Sequence, residues 1–409
     1  IDWDWVERVL AEAPTEFDRA FERWRELYRS AKSLQDQAFA EMRAARTKEE
    51  QERAYRKMRE AQRQLNLLLQ VDVAREEGDF YPYRYLATEG FLPGYNFPAL
   101  PVRAWVPRGD GEFIVRPRFR AIQEFAPHNT VYHEGARWRV VQFQAAAEAL
   151  EKRRKQMRFC LTCGALCPPD LERCPVCDTL FDAENSEILN LIEMPNVRLR
   201  RWERISCDEE ERRRRGYDVR LAFAYGPPGS RRQLIRADAV VDGKPVLELV
   251  YAPSATIALI NRGPRGARIP GFLVDLDTGM VLQERDVSER GSDRTHVERV
   301  QLFVQDVQNM LQVRIRDKAV AEDPVAEVSL LYALKRGIEQ AFQLEEDELE
   351  VEILGRGRWH SLVFYEAAEG GLGALRRLVE EPQALVQVAQ EALGICHFDL
   401  DGTDKAGDT

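Results

Sequence analysis

The sequence predicts an α+β protein with an N-terminal helical hairpin, a strand-rich middle and a C-terminal α/β module. Three patterns support this prediction. Apolar residues recur at three- and four-residue steps over residues 15–69, which is the period of a helix. Short apolar runs separated by glycine and proline dominate residues 217–313, as in antiparallel strands. From residue 325 onwards, a helical segment is followed by two strand-like segments and a further helix.

Length and composition favour several folded units and no membrane span. The chain has 409 residues, 44% hydrophobic and 31% charged, and is too long for a single core. Its longest apolar runs, such as residues 65–69, are too short to cross a bilayer, and residues 1–5 lack the basic leader of a signal peptide. Because the sequence begins with isoleucine and ends in a polar tail, we expect a piece of a longer protein.

Residues 1–78 are predicted to form a helical hairpin arm. Its apolar stripe comprises Trp24, Leu27, Tyr28, Ala31, Leu34, Ala38 and Met42, then Tyr55, Met58, Leu65 and Leu69. Thr47 and Glu50 have the spacing of a capping box, so a second helix begins there. The arm either docks on another domain or packs on its own chain, and both alternatives stay open.

Residues 79–158 are predicted to be an aromatic, proline-rich strand region. Residues 80–85 and 90–98 contain the prolines, which break regular ladders, whereas residues 102–106, 112–115 and 138–143 have the pattern of short strands. The aromatic residues are interleaved with arginines, namely Arg84, Arg103, Arg116, Arg118 and Arg120. Such a surface can clamp a nucleic-acid single strand, but core packing is the favoured interpretation of any one aromatic residue.

Residues 159–182 carry the strongest chemical signal, two Cys-x-x-Cys pairs with ten residues between them. The pairs are Cys160 with Cys163 and Cys174 with Cys177. This spacing predicts a zinc ribbon inserted into the strand-rich middle, in which four thiolates close a tetrahedral shell around a structural Zn²⁺. Cys167 offers an alternative pair with Cys163, and four unrelated buried thiols are the less favoured interpretation. Four of the seven cysteines have the spacing of metal ligands, which favours a protein of the reducing cytoplasm over one with a disulfide framework.

Basic residues concentrate on both sides of the cysteine pairs, although the net charge of the chain is −10. The nucleic-acid-binding candidates are Arg153, Arg154, Arg198, Arg200, Arg201 and Arg204. Arginine clusters beside a rigid ribbon suit phosphate contacts, which position a nucleic acid without reading its sequence. Acidic residues at 203 and 209–211 interleave with the arginines, so a solvated, salt-bridged helix face is the alternative.

Residues 183–320 are predicted to form an antiparallel β region, either a sheet or a small barrel. Strand patterns cover residues 218–225, 246–251, 256–261, 272–276 and 280–283. Asp275 and Asp277 can be interpreted as a nuclease pair. A hairpin turn is the favoured interpretation, because no basic or histidine partner is near them in sequence.

Residues 321–409 are predicted to form an α/β module. A helix over 325–342 is followed by strands over 349–354 and 361–365 and a helix through residue 378. Glycines at the last strand-to-helix turn expose backbone N–H groups that can bind an anion. Glu366 and Glu369 would repel a phosphate, so we expect a structural turn rather than a ligand site or an acid/base pair. His133 and His360 are expected to be ordinary hydrogen-bonding residues.

Several longer motifs resemble the non-motor part of large DEAD/DEAH-type, superfamily-2 helicases. They lie at residues 79–98, 116–119, 132–135, 208–212 and 364–373. More narrowly, the chain resembles the DrmA-like helicases of DISARM anti-phage systems and relatives with an MrfA-like zinc-binding C-terminus. Residues 396–399 resemble the first ligand segment of that zinc-binding module. Because no further cysteine follows before residue 409, we expect the module to be incomplete here.

The resemblance implies an accessory region of an ATP-dependent DNA helicase or translocase that acts in anti-phage defence or DNA repair. Its partners would be DNA and the upstream motor domains, and ATP with Mg²⁺ would bind only the motor. No Gly-x-x-x-x-Gly-Lys-Ser/Thr motif occurs, so we expect no ATPase motor in this sequence. The alternative is a protein–protein scaffold that docks a partner subunit of a defence complex, and a metal-dependent nuclease is a weaker third hypothesis.

Overall fold

A computed structural model describes residues 3–69, 86, 101–108, 111–145, 147–204, 216–225, 234–289, 296–367 and 372–400. The chain divides into two compact units. Unit 1 comprises Ile1–Lys155, Asn190–Arg220 and Leu259–Val304, and unit 2 comprises Gln156–Leu189, Leu221–Ala258 and Gln305–Thr409. The combination of N-terminal helices, a strand-rich middle and a mixed C-terminal part confirms the predicted α+β class. Among the described helices, none is long and apolar enough to cross a membrane.

Unit 1 begins with three helices, α1 (Trp3–Ala20), α2 (Glu22–Ala44) and α3 (Lys48–Leu69). The indole of Trp24 near the start of α2 donates a hydrogen bond to the carbonyl of Leu68 near the end of α3 (3.2 Å), so these two helices are antiparallel, as predicted. The capping box is also confirmed. The N–H of Glu50 donates to the Thr47 hydroxyl, and the N–H of Thr47 donates to the Glu50 carboxylate.

Alanines, rather than the larger apolar residues, form the seam of the α2–α3 hairpin. The buried residues of the two helices include Ala31, Ala38, Ala54 and Ala61, together with Leu65. The predicted stripe is wrong at Leu34, Tyr55 and Leu69, which are exposed. Small side chains let two helices approach closely, so helical spacing alone does not decide which apolar residues are buried.

A five-stranded sheet follows in unit 1, in the order β2-β1-β8-β4-β3. Its strands are β1 (Val102–Val106), β2 (Glu112–Arg116), β3 (Thr130–His133), β4 (Ala136–Phe143) and β8 (Val197–Arg204). The strands predicted over residues 102–106, 112–115 and 138–143 are therefore confirmed. The helix-face interpretation of the arginines in β8 is wrong, because the backbone of this segment pairs with β1 and β4.

One face of this sheet forms the core of unit 1. Val102, Ala104, Trp138, Val140 and Leu199 are buried there. The remaining elements of the unit are α4 (Arg118–Glu124), α5 (Ala147–Lys152), β12 (Phe272–Asp275), β13 (Val281–Leu282) and α6 (Glu284–Glu289). β12 and β13 form the predicted hairpin. The long strand β14 (Val297–Ile315) adds its first part to unit 1 and its second part to unit 2.

Unit 2 contains the remaining strands of the middle region. They are β5 (Arg154–Cys160), β6 (Leu166–Cys167), β7 (Ser186–Glu193), β9 (Tyr217–Ala224), β10 (Ile235–Val241) and β11 (Lys244–Pro264), some of which begin or end in unit 1. The two strands predicted over residues 246–251 and 256–261 are one continuous strand, β11. Ser254, between the two predicted ranges, has a positive φ (58°), and the strand continues through this local irregularity.

The C-terminal module lies wholly in unit 2. Its elements are α7 (Lys318–Ala321), α8 (Pro324–Phe342), β15 (Leu349–Leu354), β16 (Ser361–Glu366), α9 (Ala374–Glu380) and α10 (Ala384–Ile395). α8, β15, β16 and α9 agree with the prediction, whereas α7 and α10 were not predicted. Leu331, Leu334 and Ile338 of α8 pack in one core with residues of β16, α9 and α10. A Cβ atom at Gly337 would lie 2.4 Å from the carbonyl oxygen of Val388, so this glycine permits close packing of α8 and α10.

Candidate metal centre and arginine-rich strand

Four cysteine sulfurs converge in unit 2. Their Sγ atoms all lie within 4.8 Å of one another, and all four residues are buried. The Sγ of Cys160 lies 3.7 Å from that of Cys177, and the Sγ of Cys163 lies 3.6 Å from that of Cys174. A tetrahedron with zinc–sulfur bonds of about 2.3 Å has edges of about 3.8 Å. The cysteine cluster is therefore compatible with a zinc ribbon.

Each cysteine pair is held by a tight turn. After the first pair, the N–H of Gly164 donates to the carbonyl of Cys160 (2.8 Å), and Gly164 has a φ of 83°. After the second pair, the N–H of Asp178 donates to the carbonyl of Cys174 (2.9 Å), and Asp178 has a φ of 59°. The left-handed conformation at both positions lets the chain reverse within four residues, and this reversal directs both sulfurs of each pair to the same side.

The acid–base properties of the cluster suit a divalent cation. Hydrogen bonds from the Cys163 and Cys174 thiols lower the pKa of Cys160. The same contacts, together with burial, raise the pKa of Cys163. One thiolate thus forms readily, while its negative charge opposes ionisation of its neighbours. A central cation compensates the repulsion and allows all four sulfurs to bind as thiolates.

Cys167 lies outside the four-sulfur cluster. Its thiol donates to the carbonyl of Arg158 (3.5 Å), and burial raises its pKa to about 11. The structure therefore does not use the alternative pair of Cys163 with Cys167. Cys207 lies outside the described residues.

The first cysteine turn packs on the β15–β16 connection of the same unit. The N–H of Arg356 donates to the carbonyl of Thr162 (2.8 Å). A Cβ atom on Gly164 would lie 3.0 Å from the side chain of Leu354, the last residue of β15, so the first cysteine turn is in close contact with this end of the strand. The N–H of Phe223 also donates to the carbonyl of Gly164 (3.3 Å). The cysteine cluster therefore connects three separate segments of unit 2.

The six nucleic-acid-binding candidates fall into different environments. Arg154 forms an ion pair with Glu298 (2.6 Å), and Arg153 is half-buried. In β8, strand alternation places Arg198 and Arg200 on the face opposite the buried Leu199. Arg201 pairs in register with the buried Trp138 and lies on the other face, although it is exposed. Arg204 is the last residue of β8, and its side chain is not described.

The predicted arginine clamp of the aromatic region is mostly structural. Arg118 is only 9% exposed and forms an ion pair with Glu193 (2.7 Å), and Arg116 forms an ion pair with Glu124 (2.7 Å). These guanidinium groups are therefore committed to carboxylates within unit 1. Residues 70–85 and 87–100, including Arg84 and most of the aromatic stretch, lie outside the described residues.

The outer face of the unit 1 sheet carries functional candidates that the sequence patterns did not indicate. Trp202 is exposed, and the guanidinium of Arg139 lies 4.6 Å from its ring centroid. Arg200 lies 5.9 Å from the same ring. Arg139 in β4 and Arg200 in β8 are direct cross-strand partners. The period-two alternation of residues 198–202 could have revealed this face, but only after the segment had been recognised as a strand.

Glu366 occupies the anion-binding turn of the C-terminal module. This carboxylate is fully buried and accepts hydrogen bonds from the N–H groups of Leu372 (2.7 Å), Gly373 (3.1 Å) and Leu375 (3.0 Å). The side-chain amide of Asn309 donates a fourth hydrogen bond (2.8 Å). The expected structural turn is therefore observed, with the glutamate itself as the bound anion. Glu369 lies outside the described residues.

The remaining acidic and histidine candidates are structural in the described part of the chain. The Asp275 carboxylate accepts the N–H groups of Asp277 (3.1 Å) and Thr278 (3.2 Å), which confirms the hairpin turn. No basic or histidine partner lies near Asp277 in sequence, but the fold brings His296 to within 3.2 Å of its carboxylate. The Nε2 atoms of His133 and His360 lie 3.1 Å and 2.8 Å from carboxylate oxygens of Glu112 and Glu327, respectively.

Comparison with known proteins links the C-terminal module to one family model. Residues 330–402 match the MrfA Zn-binding domain. No curated protein matches the chain. One matching solved structure is the crystal structure of the DUF1998 helicase MrfA bound to DNA, with 10% identity and a TM-score of 0.33. The match covers 76% of this chain and 32% of that chain, so the chain spans about a third of the helicase's length.

The zinc site implied by the family model can be compared with the residues present. In the matched segment, the described cysteine and histidine residues are His360, Cys396 and His397. His360 is paired with Glu327, Cys396 is exposed, and these residues do not form a metal-binding group with the described acidic residues. The cysteine cluster, which does fit a metal, precedes the matched segment in sequence and lies in the same unit. Among the described residues, those that fit zinc are therefore the four cysteines of the ribbon.

Proposed function

We propose that this chain is the zinc-containing, nucleic-acid-binding accessory region of an ATP-dependent DNA helicase or translocase. Cys160, Cys163, Cys174 and Cys177 would hold one structural Zn²⁺ ion, and four thiolates leave no position for a substrate. The similarity of residues 330–402 to the MrfA Zn-binding domain supports the helicase class. ATP and Mg²⁺ would bind a separate motor, and the biological setting would be DNA repair or anti-phage defence of the DISARM type.

The observation that carries the nucleic-acid part of this proposal is the charge of β8. Within the described residues, Arg200 and Arg201 are exposed and form no ion pair with a carboxylate. Most other arginines discussed above are paired within the fold. Unpaired, exposed arginines on a rigid strand are free to exchange solvent and counterions for the phosphates of a nucleic acid.

Charge reversal in β8 tests this proposal. We expect the wild-type chain to bind labelled DNA with an affinity that falls steeply with salt, measured by fluorescence anisotropy. Replacing Arg200→Glu and Arg201→Glu together removes two phosphate contacts and should lower the salt slope by roughly two. The control is Arg268→Glu, an exposed arginine elsewhere in unit 1. Absence of binding by the wild-type chain at low salt, or unchanged binding by the double variant, would contradict the proposal.

A scaffold that docks a partner subunit is a second candidate function. It is favoured by the outer side of α8, where Val325, Val328 and Tyr332 are exposed at helical spacing. Such a stripe suits an apolar partner surface better than a nucleic acid. A scaffold would retain its partner when Arg200 and Arg201 are reversed, and it would lose the partner on Val328→Asp.

A further inference from the structure

The five-stranded sheet of unit 1 has a second face that is polar and aromatic. Val131, Trp138, Val140 and Leu199 are directed towards the core. Because side chains alternate along a strand, their neighbours lie on the outer face. The outer-face residues of three adjacent strands are Thr130 and Tyr132 in β3, Arg137 and Arg139 in β4, and Arg198, Arg200 and Trp202 in β8.

Two aromatic side chains are exposed on this outer face. Trp202 is 40% exposed and Tyr132 is 37% exposed, whereas Trp138 on the core face is 3% exposed. The guanidinium of Arg139 lies 4.6 Å from the Trp202 ring centroid and fixes one side of the indole. An aromatic ring that is held in place and still exposed loses little conformational entropy when a ligand stacks on it.

Positive charge surrounds the two aromatic residues. Arg139 lies directly opposite Arg200 in the strand register. Burial is the main factor that lowers the pKa of Arg139, and the nearby charges of Arg200 and Arg285 lower it further. Asp286 opposes this effect and is itself paired with Arg285 (3.7 Å), whereas no described carboxylate forms an ion pair with Arg139 or Arg200. The cluster therefore retains an excess of positive charge that an anionic ligand can compensate.

Stacking and charge together select one class of nucleic acid. A duplex presents phosphates, but its bases are already stacked on each other, so exposed aromatic rings gain little from it. Unpaired bases offer their faces to such rings. β3 and β8 flank β4, and neighbouring strands are about 4.8 Å apart, so Tyr132 and Trp202 lie on strands about 10 Å apart. Splayed bases of one single strand can reach both rings.

We propose that this outer face binds single-stranded nucleic acid, with Trp202 and Tyr132 stacking on unpaired bases and Arg139 and Arg200 contacting the phosphates between them. The inference rests on the proposed nucleic-acid binding and narrows it to single strands. It assigns the aromatic contacts to this sheet instead of to the proline-rich stretch that precedes it.

Alanine substitution of the two rings tests the inference on the full chain. The probes are a fluorescein-labelled oligothymidylate and a duplex of the same length. Trp202→Ala and Tyr132→Ala should each weaken binding of the single strand by about 5- to 150-fold, with little change for the duplex. Trp202→Phe retains an aromatic face and should restore most of the affinity. The matched control is Tyr55→Ala, an exposed tyrosine of α3, which should leave binding unchanged.

A site-specific measurement separates stacking from a loss of folding. An oligonucleotide with 5-iodouracil should form a photochemical cross-link to Trp202 or Tyr132, mapped by mass spectrometry of the cross-linked peptide. If both alanine variants bind the single strand as the wild type does, while the Arg200→Glu, Arg201→Glu variant binds both probes more weakly and with a lower salt slope, the stacking site is wrong and the proposed function stands. If the wild-type chain binds neither probe at low salt, both are wrong.

Discussion

A single buried carboxylate, Glu366, determines the structure of the turn that opens α9. The glycines of this turn expose backbone N–H groups, and this much follows from the sequence. The sequence does not reveal which anion they bind, because a glutamate at the end of a strand can point either to solvent or into the turn. In the fold, its carboxylate accepts three backbone N–H groups and the Asn309 amide. The site is therefore filled by the protein itself.

Removing this carboxylate should destabilise the turn. In Glu366→Ala, three N–H groups and an amide lose their buried acceptor, at a cost of about 3 kcal/mol. Amide hydrogen exchange of Leu372, Gly373 and Leu375 should accelerate by roughly 100-fold. Glu366→Gln retains one oxygen acceptor and should have a smaller effect. Glu322→Ala, at an exposed glutamate of the same unit, is the control. Unchanged protection in Glu366→Ala would show that water replaces the carboxylate.

At the level of elements, the contact between the first cysteine turn and the β15–β16 connection depends on Gly355. This residue has a φ of 84°, and a Cβ atom there would lie 2.2 Å from the carbonyl oxygen of Trp359 and 3.0 Å from that of Thr162. Gly357 in the same connection has a φ of 55° but no atom within 4 Å of its Cβ position. Substitutions at these two glycines therefore distinguish the cost of a positive φ, present at both positions, from the cost of steric crowding, present only at Gly355.

Alanine substitution at these two positions should have unequal effects. Gly357→Ala places a side chain in the left-handed region, at a cost of about 1 kcal/mol. Gly355→Ala adds the displacement of two carbonyl groups and should cost roughly 1–3 kcal/mol more. Hydrogen exchange of peptides that cover the β15–β16 hairpin and the first cysteine turn measures both variants. If both variants accelerated exchange equally, the cysteine turn would move aside easily, and its close contact with Gly355 would not stabilise unit 2.

The elements differ in how far the sequence predicts them. The capping box at Thr47 and the strands β1 and β15 depend on local patterns, and the sequence predicts them correctly. The sequence predicts two strands where β11 is continuous, because local patterns do not show that a strand can pass through a residue of positive φ such as Ser254. The arginines of β8 look like a charged helix face until the pairing partners β1 and β4 are known. These errors occur where tertiary pairing outweighs local preference.

At the level of the whole molecule, the spacing of four cysteines predicts the cluster, but it does not predict what the cluster joins. In sequence the ribbon lies between two segments of unit 1, which end at Lys155 and begin at Asn190, yet residues 156–189 fold with unit 2. The core around α8 and β16 consists of residues of unit 2, and the core under the five-stranded sheet consists of residues of unit 1. The stabilising effect of a metal ion should therefore be confined to one unit.

Zinc removal should consequently unfold the two units unequally. We expect about one zinc ion per chain, lost in Cys174→Ser because one thiolate of the shell is missing. Structural zinc contributes on the order of 10 kcal/mol, comparable to the stability of a whole domain. Hydrogen exchange should therefore accelerate throughout unit 2, while the buried strands of unit 1 stay protected.

The matched control for zinc removal is Cys167→Ser. Its thiol is buried beside the cluster but donates to the carbonyl of Arg158, a hydrogen bond that a serine hydroxyl can also donate. This variant should retain its zinc, as measured by elemental analysis, and its exchange pattern. Equal acceleration of hydrogen exchange in both units, on chelation or in Cys174→Ser, would contradict this prediction. It would mean that the ion stabilises the chain as a whole, with the strands β11 and β14, which enter both units, coupling their unfolding.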